Sequence, residues 1–334
     1  MRVAITGASG NVGTSVLQAL DDEPAVESVV GVARRRPKLQ FRKTEWYVAD
    51  VASSDLVSVF RDADAVVHLA WLIQPSRDRE LLWRVNVEGS SRVFRAAAEA
   101  GVASLVHASS IGAYAPGPKD RLVDERWPTT GVRTNNYSLE KVEVERRLDR
   151  FEREHPDIRV VRLRPTLIFK RESATEQRRL FAGPFVPGSL LRPGMIPVVP
   201  EIPGLVFQAV HSYDVGDAYR LAVVGDARGA FNIAAPPPLD VKAIARMLRA
   251  RTFRFSARAA RALAAGAYHA RLTPISPSWF DMGLAAPLLD SARAHHELGW
   301  YPRHTGEEAI ADLLDGLRYG AGLETPPLAP QMCE

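Results

Sequence analysis

The chain has 334 residues, a formal net charge of +4 and the composition of an ordinary globular protein, 46% hydrophobic and 25% charged, enough for a sizeable core in two lobes. A single cysteine, Cys333, excludes an intramolecular disulfide and suits a reducing cytoplasm. No apolar run is long enough to span a bilayer, and the glycines of MRVAITGASGNVG come too early for a signal peptide, so the expectation is a cytoplasmic protein with no membrane partner.

The first half alternates strand and helix. RVAITG, residues 2–7, is a short β-branched run ending in glycine. NVGTSVLQALDD then places Val12, Val16, Leu17 and Leu20 on one helical side. Further apolar strands are predicted at VESVVGVAR (26–34), TEWYVAD (44–50), ADAVVHLAW (63–71), VASLVHASS (102–110) and IRVVRLRP (158–165). Between them lie a helix over 79–101, stopped by Gly101, and a charged helix over 135–156, stopped at Pro156. Strand–helix alternation implies parallel pairing with right-handed crossovers. Continuously apolar strands imply a sheet covered on both faces. The fold class expected is therefore α/β with a doubly wound parallel sheet, and ligands belong at the carboxyl ends of its strands.

Beyond residue 166 the texture changes. FAGPFVPGSLLRPGMIPVVPEIPG (181–204) is rich in proline and glycine and reads equally as a connector or a substrate-covering loop. FQAVHSYDVGDAYRLAVVGD (207–226) reads as a turn into a helix, GAFNIA (229–234) as a strand, and EEAIADLLDGLRYGAG (307–322) as a late helix. The expected organisation is a dinucleotide-binding domain at 1–165 and a smaller, mainly substrate-binding domain at 166–325. Residues of about 205–225 return to the first lobe. The stretch 242–272 contains no acid and reads as a solvated helix face, with a wall toward an anionic ligand as the minority reading. Basic residues are scattered and lack aromatic interleaving, which argues against nucleic acid.

TGASGNVG sets Gly7, Gly10 and Gly13 between the first strand and the first helix. Gly7 permits the tight turn, Gly10 lets the backbone approach a pyrophosphate, and Gly13 lets helix and sheet pack closely. The helix N-terminus supplies free N–H groups to the phosphates. YSLEK, residues 137–141, sets a tyrosine four positions before a lysine, on one helix face. Tyrosine titrates near pH 10. An ammonium at about 4 Å is worth roughly 4 kcal/mol at an effective dielectric near 20, so Lys141 is expected to lower the Tyr137 pKa by as much as about 3 units.

The G-x-x-G-x-x-G loop, YVADV, VVHLAW, VNVEGSSRVFRAAAEAGV, VHASSIGAYA, Tyr-x-x-x-Lys, RLRP, VHSYDVGDAYRLAV and ARAHHELGWYPRHTGEEAI follow one another along nearly the whole chain. In that order they resemble the extended short-chain dehydrogenase/reductases, the group of NAD-dependent epimerases and dehydratases. The resemblance implies a Rossmann fold and a homodimer through helices at about 78–100 and 135–155. It implies cofactor contacts from Gly7, Ser9, Gly10, Asn11, Val12 and Gly13, from Asp50 and Val51 at the adenine, and from Leu69, Ala70, Asn86, Tyr137, Lys141 and Pro165. It makes Tyr137 the acid/base, gives Lys141 a second bond to the nicotinamide ribose, and matches Ser110, with Ser109 as the alternative, to the catalytic serine. His211 matches a family histidine, read here as an orienting hydrogen bond. His295 and His296 are adjacent and do not form a metal pair; no metal is expected.

Where NAD-preferring members carry an aspartate, this chain has Ala33 followed by Arg34, Arg35 and Arg36. Arginine forks suit a 2′-phosphate, so NADP is expected in preference to NAD, with Arg34 as its contact. The substrate is a small molecule. The resemblance leaves three outcomes open: an epimerase or dehydratase of a nucleotide sugar or related metabolite, an NADPH-dependent ketone or aldehyde reductase, and a non-catalytic dinucleotide sensor. Arg164, Arg192 and the basic stretch are candidates to meet a diphosphate.

Overall fold

The computed structural model describes residues 1–74, 77–182 and 194–330. Seven strands form one sheet: β1 (Arg2–Thr6), β2 (Ser28–Ala33), β3 (Thr44–Val48), β4 (Ala65–His68), β5 (Ser104–Ala108), β6 (Arg159–Pro165) and β7 (Gly229–Ile233). Their order is β7-β6-β5-β4-β1-β2-β3, and every pairing is parallel. At the centre, Val67, Val106 and Val161 stand in register and are fully buried. Burial from both sides is why these strands read as unbroken apolar runs.

Helices α1 (Asn11–Asp21) and α4 (Ser212–Val224) share one core with the sheet, built from Val16, Leu17 and Leu20 against Val215, Ala218 and Tyr219. The two helices approach closely: a Cβ on Gly216 would lie 2.6 Å from the Ser15 carbonyl oxygen. A second core holds α2 (Gly89–Glu99) and α3 (Asn136–Glu154), through Val93, Phe94, Val144 and Leu148. The predicted helix over 79–101 is one helical run with an irregularity: Arg79–Trp83 is α-helical, Arg84–Glu88 makes a π turn, and α2 continues to Glu99. Such turns recur at functional sites, and Asn86 sits in this one.

Three features exceed the sequence reading. The strand at 229–233 is the outer strand of the main sheet, paired with β6. Leu167–Phe169 pairs in parallel with Ala209–His211, just beyond the end of β6. Val198–Glu201, from the proline-rich stretch, pairs with Arg251–Arg254; most of the rest of that stretch, Arg192 included, lies outside the described residues, as does Cys333. A third, smaller core joins Ala209, Leu239, Leu248, Ile310 and Leu314. In the acid-free stretch, the helix Ala257–His269 buries none of its residues, and Lys242, Arg246 and Arg261 form exposed ion pairs. That is a solvated face.

Candidate active site

Strand order reverses beside β1, where open α/β sheets bind their ligands, and a cleft of about 860 Å³ lies there. Its floor is the turn from β1 into α1. Gly7 has φ +74°, and a Cβ on it would come within 2.7 Å of the Ala70 backbone nitrogen. A Cβ on Gly13 would lie 2.4 Å from the Gly7 carbonyl oxygen. Both positions need glycine for the turn itself. Gly10 differs, because a Cβ there would meet only the Gly7 oxygen, at 3.5 Å, an ordinary contact. No internal contact demands a glycine at that position, whereas close approach by a ligand would. The first turn of α1 carries no acidic side chain, so its free N–H groups fit a pyrophosphate.

Ser9, Asn11 and Val12 line the same cleft. Arg34 and Arg35 follow β2 along its wall, Asp50 and Val51 follow β3, and Leu69 and Ala70 follow β4. Asn86, Lys141 and Pro165 are not part of the wall. Asn86 is fully buried; it accepts from the Leu72 N–H at 2.7 Å and donates to the Leu72 carbonyl at 2.8 Å, fixing the backbone that leaves β4. Pro165 ends β6, next to Thr166, which does line the cleft.

At the far end stands Tyr137. Asn135 caps α3 by accepting from the Ser138 N–H at 2.9 Å, and the Ser138 hydroxyl bonds Val132 and Gly112. These bonds hold the turn that carries the phenol. Ser110 stands with the Tyr137 phenol in the wall of the same cleft and acts to lower its pKa, and the Ser110 Oγ accepts from the Gly112 N–H at 3.0 Å. Ser109 goes elsewhere: it donates to Glu145, which Arg164 grips with two bonds of 2.8 and 2.6 Å. Of the two serines, Ser110 is therefore the one at the tyrosine. Arg164 is 5% exposed and committed to this pair, so the expectation that it meets a diphosphate is corrected.

Lys141 is 3% exposed. Its ammonium donates to the Ala108 carbonyl at 2.7 Å and stands 3.4 Å over the centre of the Trp71 ring, but 5.8 Å from that of Tyr137. Burial pushes the lysine down to about 7, against the pull of Glu145 and Glu140. Burial pushes the Tyr137 phenol up to about 12; Ser110 opposes this and Glu140 adds to it. The expected lowering of the tyrosine by Lys141 is thus reversed by the protein's own groups. Removal from water disfavours phenolate and ammonium alike, and Lys141 is not among the groups that act on the phenol.

Trp71 and Trp279 flank the Tyr137 ring at 5.9 and 5.0 Å between centres. A second chamber of about 330 Å³ opens on the same phenol, lined also by Asn135, Asn136, Glu140, Ser278 and Trp279. Glu140 is 5% exposed, accepts from Asn86 Nδ2 at 2.8 Å, and is raised above the usual carboxylate range by burial. A phenol, a hydroxyl and a carboxyl thus meet at the junction of the cleft and a small polar chamber. Together they can bind an alcohol or carbonyl oxygen and exchange a proton with it.

His211, matched to a family histidine, and Tyr114 have structural partners. His211 accepts from the Tyr213 N–H at 3.2 Å, faces Asp312 and stacks on His304, the orienting role expected of it. Tyr114 is fully buried and donates to Asn232 at 2.6 Å. No group of three or more metal-ligating side chains occurs among the described residues, and no helix there is long and apolar enough to cross a membrane.

Residues 3–182 match the model of the NAD dependent epimerase/dehydratase family. The chain belongs to that family. An uncharacterized protein of Mycobacterium tuberculosis is 28% identical over 330 residues, 97% of this chain, which spans only 31% of that relative's length. The NAD-dependent glucose-6-phosphate dehydrogenase of Haloferax volcanii is 32% identical over 184 residues, covering 48% of this chain and 66% of the relative. Among solved structures, MoeE5 in complex with UDP-glucuronic acid and NAD superposes with TM-score 0.68 at 21% identity, over 95% of this chain and 99% of that one. The UDP-glucose 4-epimerase of Thermotoga maritima superposes with TM-score 0.70 at 19% identity, over the same shares. These likenesses show a Rossmann fold.

Within this family site, sequence reasoning missed Glu140, Trp71 and Trp279. Glu140 follows Tyr137 by three positions, so helix geometry alone places both on one face. Trp71 ends the β4 run. Trp279 lies far downstream and no local pattern announces it.

Proposed function

We propose that this chain is an NAD(P)-dependent oxidoreductase that interconverts a secondary alcohol and a carbonyl. Residues 1–165 form its cofactor domain, and 166–325 its mainly substrate-binding domain, with about 205–225 and the sheet strand Gly229–Ile233 returning to the first. One observation carries the reading: a phenol and a serine share the wall at the end of a dinucleotide-sized cleft floored by a glycine turn. The nicotinamide, when bound, takes or supplies the hydride. Ser110 holds the substrate oxygen, and Tyr137 gives it a proton or removes one. Lys141 stands behind the cleft wall, bonded to Ala108 and over Trp71, and the family resemblance assigns it the cofactor ribose. Asn86 keeps the Leu72 backbone in place. A phenol near 12 stays protonated at neutral pH, which readies it as an acid toward a carbonyl oxygen.

The substrate we favour is a nucleotide sugar or related metabolite, turned over by epimerisation or dehydration with the cofactor retained. MoeE5 in complex with UDP-glucuronic acid, the Thermotoga UDP-glucose 4-epimerase and the Haloferax glucose-6-phosphate dehydrogenase support this choice. A second reading, net reduction of a ketone or aldehyde by NADPH, rests on Arg34 and Arg35 in the cleft wall beyond β2. Preference for NADP over NAD belongs to the same reading. A cytoplasmic homodimer completes the proposal, paired through the helices at 79–99 and 136–154, which expose Trp83 and Leu139.

Absorbance of the purified protein in the nicotinamide band, followed by turnover of nucleotide sugars and ketones, tests the proposal. Retained cofactor with sugar isomerisation supports the first reading, and stoichiometric NADPH consumption the second. A dinucleotide that binds without any turnover across the panel leaves only the sensor. Arg34→Ala is expected to weaken NADP binding about ten- to a hundredfold, the worth of a hydrogen bond to a charged group, and to leave NAD binding unchanged. Equal NADP affinity for both proteins removes Arg34 from the assignment.

A further inference from the structure

Just beyond Leu167–Phe169 comes a lysine that the proposed chemistry does not use. Lys170 is 1% exposed and among the largest fully buried side chains. Its ammonium donates to Thr14 Oγ1 at 2.7 Å and to Ser15 Oγ at 2.9 Å. Those are neutral partners. Lys170 forms no ion pair among the described residues; Glu172 and Glu176 act on it only through space, and the Tyr213 ring centre is 5.3 Å away. A buried ammonium held only by hydroxyls is costly unless an anion comes near. Accordingly, burial pushes it down to about 8.

Its two partners locate the missing anion. Thr14 and Ser15 belong to the start of α1, and Thr14 Oγ1 in turn donates to the Gly10 carbonyl at 3.0 Å. The ammonium is therefore one hydroxyl away from the glycine turn, without being part of the cleft wall. Asn11 ties the same strand end to the turn, donating to the Ile168 carbonyl at 3.1 Å. We propose that Lys170 is a positioning residue for the cofactor's diphosphate: its charge, held one hydroxyl behind the glycine turn, adds to the field of the α1 N-terminus and is balanced by the bound anion. This rests on the reading of the cleft as a dinucleotide site. Because Lys170 lies outside the cleft wall, its effect must depend on the charge of the ligand and not on its shape.

ADP and adenosine separate these, since they share the adenine and ribose and differ in the diphosphate. For the full-length chain, Lys170→Met is expected to raise the ADP dissociation constant at least tenfold and that of adenosine less than twofold. Its unfolding midpoint without ligand is expected not to fall, because an unbalanced buried charge has been removed. Lys170→Gln, which keeps a polar group for Thr14 and Ser15, should repeat the pattern and serves if the methionine variant does not fold. Equal ADP affinity in wild type and both variants would overturn the inference. So would a parallel loss of ADP and adenosine binding with a lowered midpoint, the mark of a lysine that only packs α1 in place. A wild type that binds neither ADP nor NADP contradicts the dinucleotide reading itself, and the inference with it.

Discussion

Tyr137, Ser110 and Lys141 were legible as residues because a motif and its order along the chain carry them. Their electrostatics were not, since burial is invisible in a sequence. The lysine illustrates the consequence. Its folded pKa of about 7 lies below the free value of 10.5. Below pH 7 the folded and unfolded chains both hold the proton, and the burial penalty is felt in full. Between about 7 and 10.5 only the unfolded chain holds it, so stability rises with pH. Lys141→Met removes the titration, and its stability advantage over the wild type should shrink steadily from pH 7 to pH 10. Lys170 titrates in both proteins and cancels from the comparison. Denaturant unfolding of the cofactor-free proteins across this range measures the effect, and a difference independent of pH would contradict it.

Among the elements, the strands of the first half were readable because each is an apolar run bounded by glycine or charge. Periodicity is blind to how backbone bonds are exchanged, so the π turn at Arg84–Glu88 and the short pair Leu167–Phe169 with Ala209–His211 were not. The element that matters most to chemistry is α3, whose first turn holds the phenol. Asn135, fully buried, caps it and also donates to Ser278 at 3.3 Å. Loss of a cap costs about 0.5–2 kcal/mol, and a buried cap belongs at the upper end. Asn135→Ala should lower the denaturant midpoint with an unchanged slope and lower kcat at unchanged cofactor affinity. A variant of wild-type stability and activity would show that the cap does not position Tyr137.

At the scale of the whole molecule, the doubly wound sheet, with its ligand cleft at the carboxyl ends of the strands, followed from the alternation of elements. What did not follow is long-range convergence. Trp279 arrives at the tyrosine from the C-terminal part of the chain, Lys170 reaches back to α1, and Gly229–Ile233 closes the edge of the first domain's sheet. Each joins segments distant in sequence, where no local pattern couples them. One group carries the proposal: at the end of the cleft stands Tyr137, the phenol proposed to exchange the substrate's proton. The most direct test is turnover by Tyr137→Phe, with cofactor affinity measured alongside. Acid/base catalysis is worth roughly 10²–10⁴ in rate, so kcat should fall by about that factor while the cofactor dissociation constant holds. A variant that turns over substrate as fast as the wild type would contradict the account.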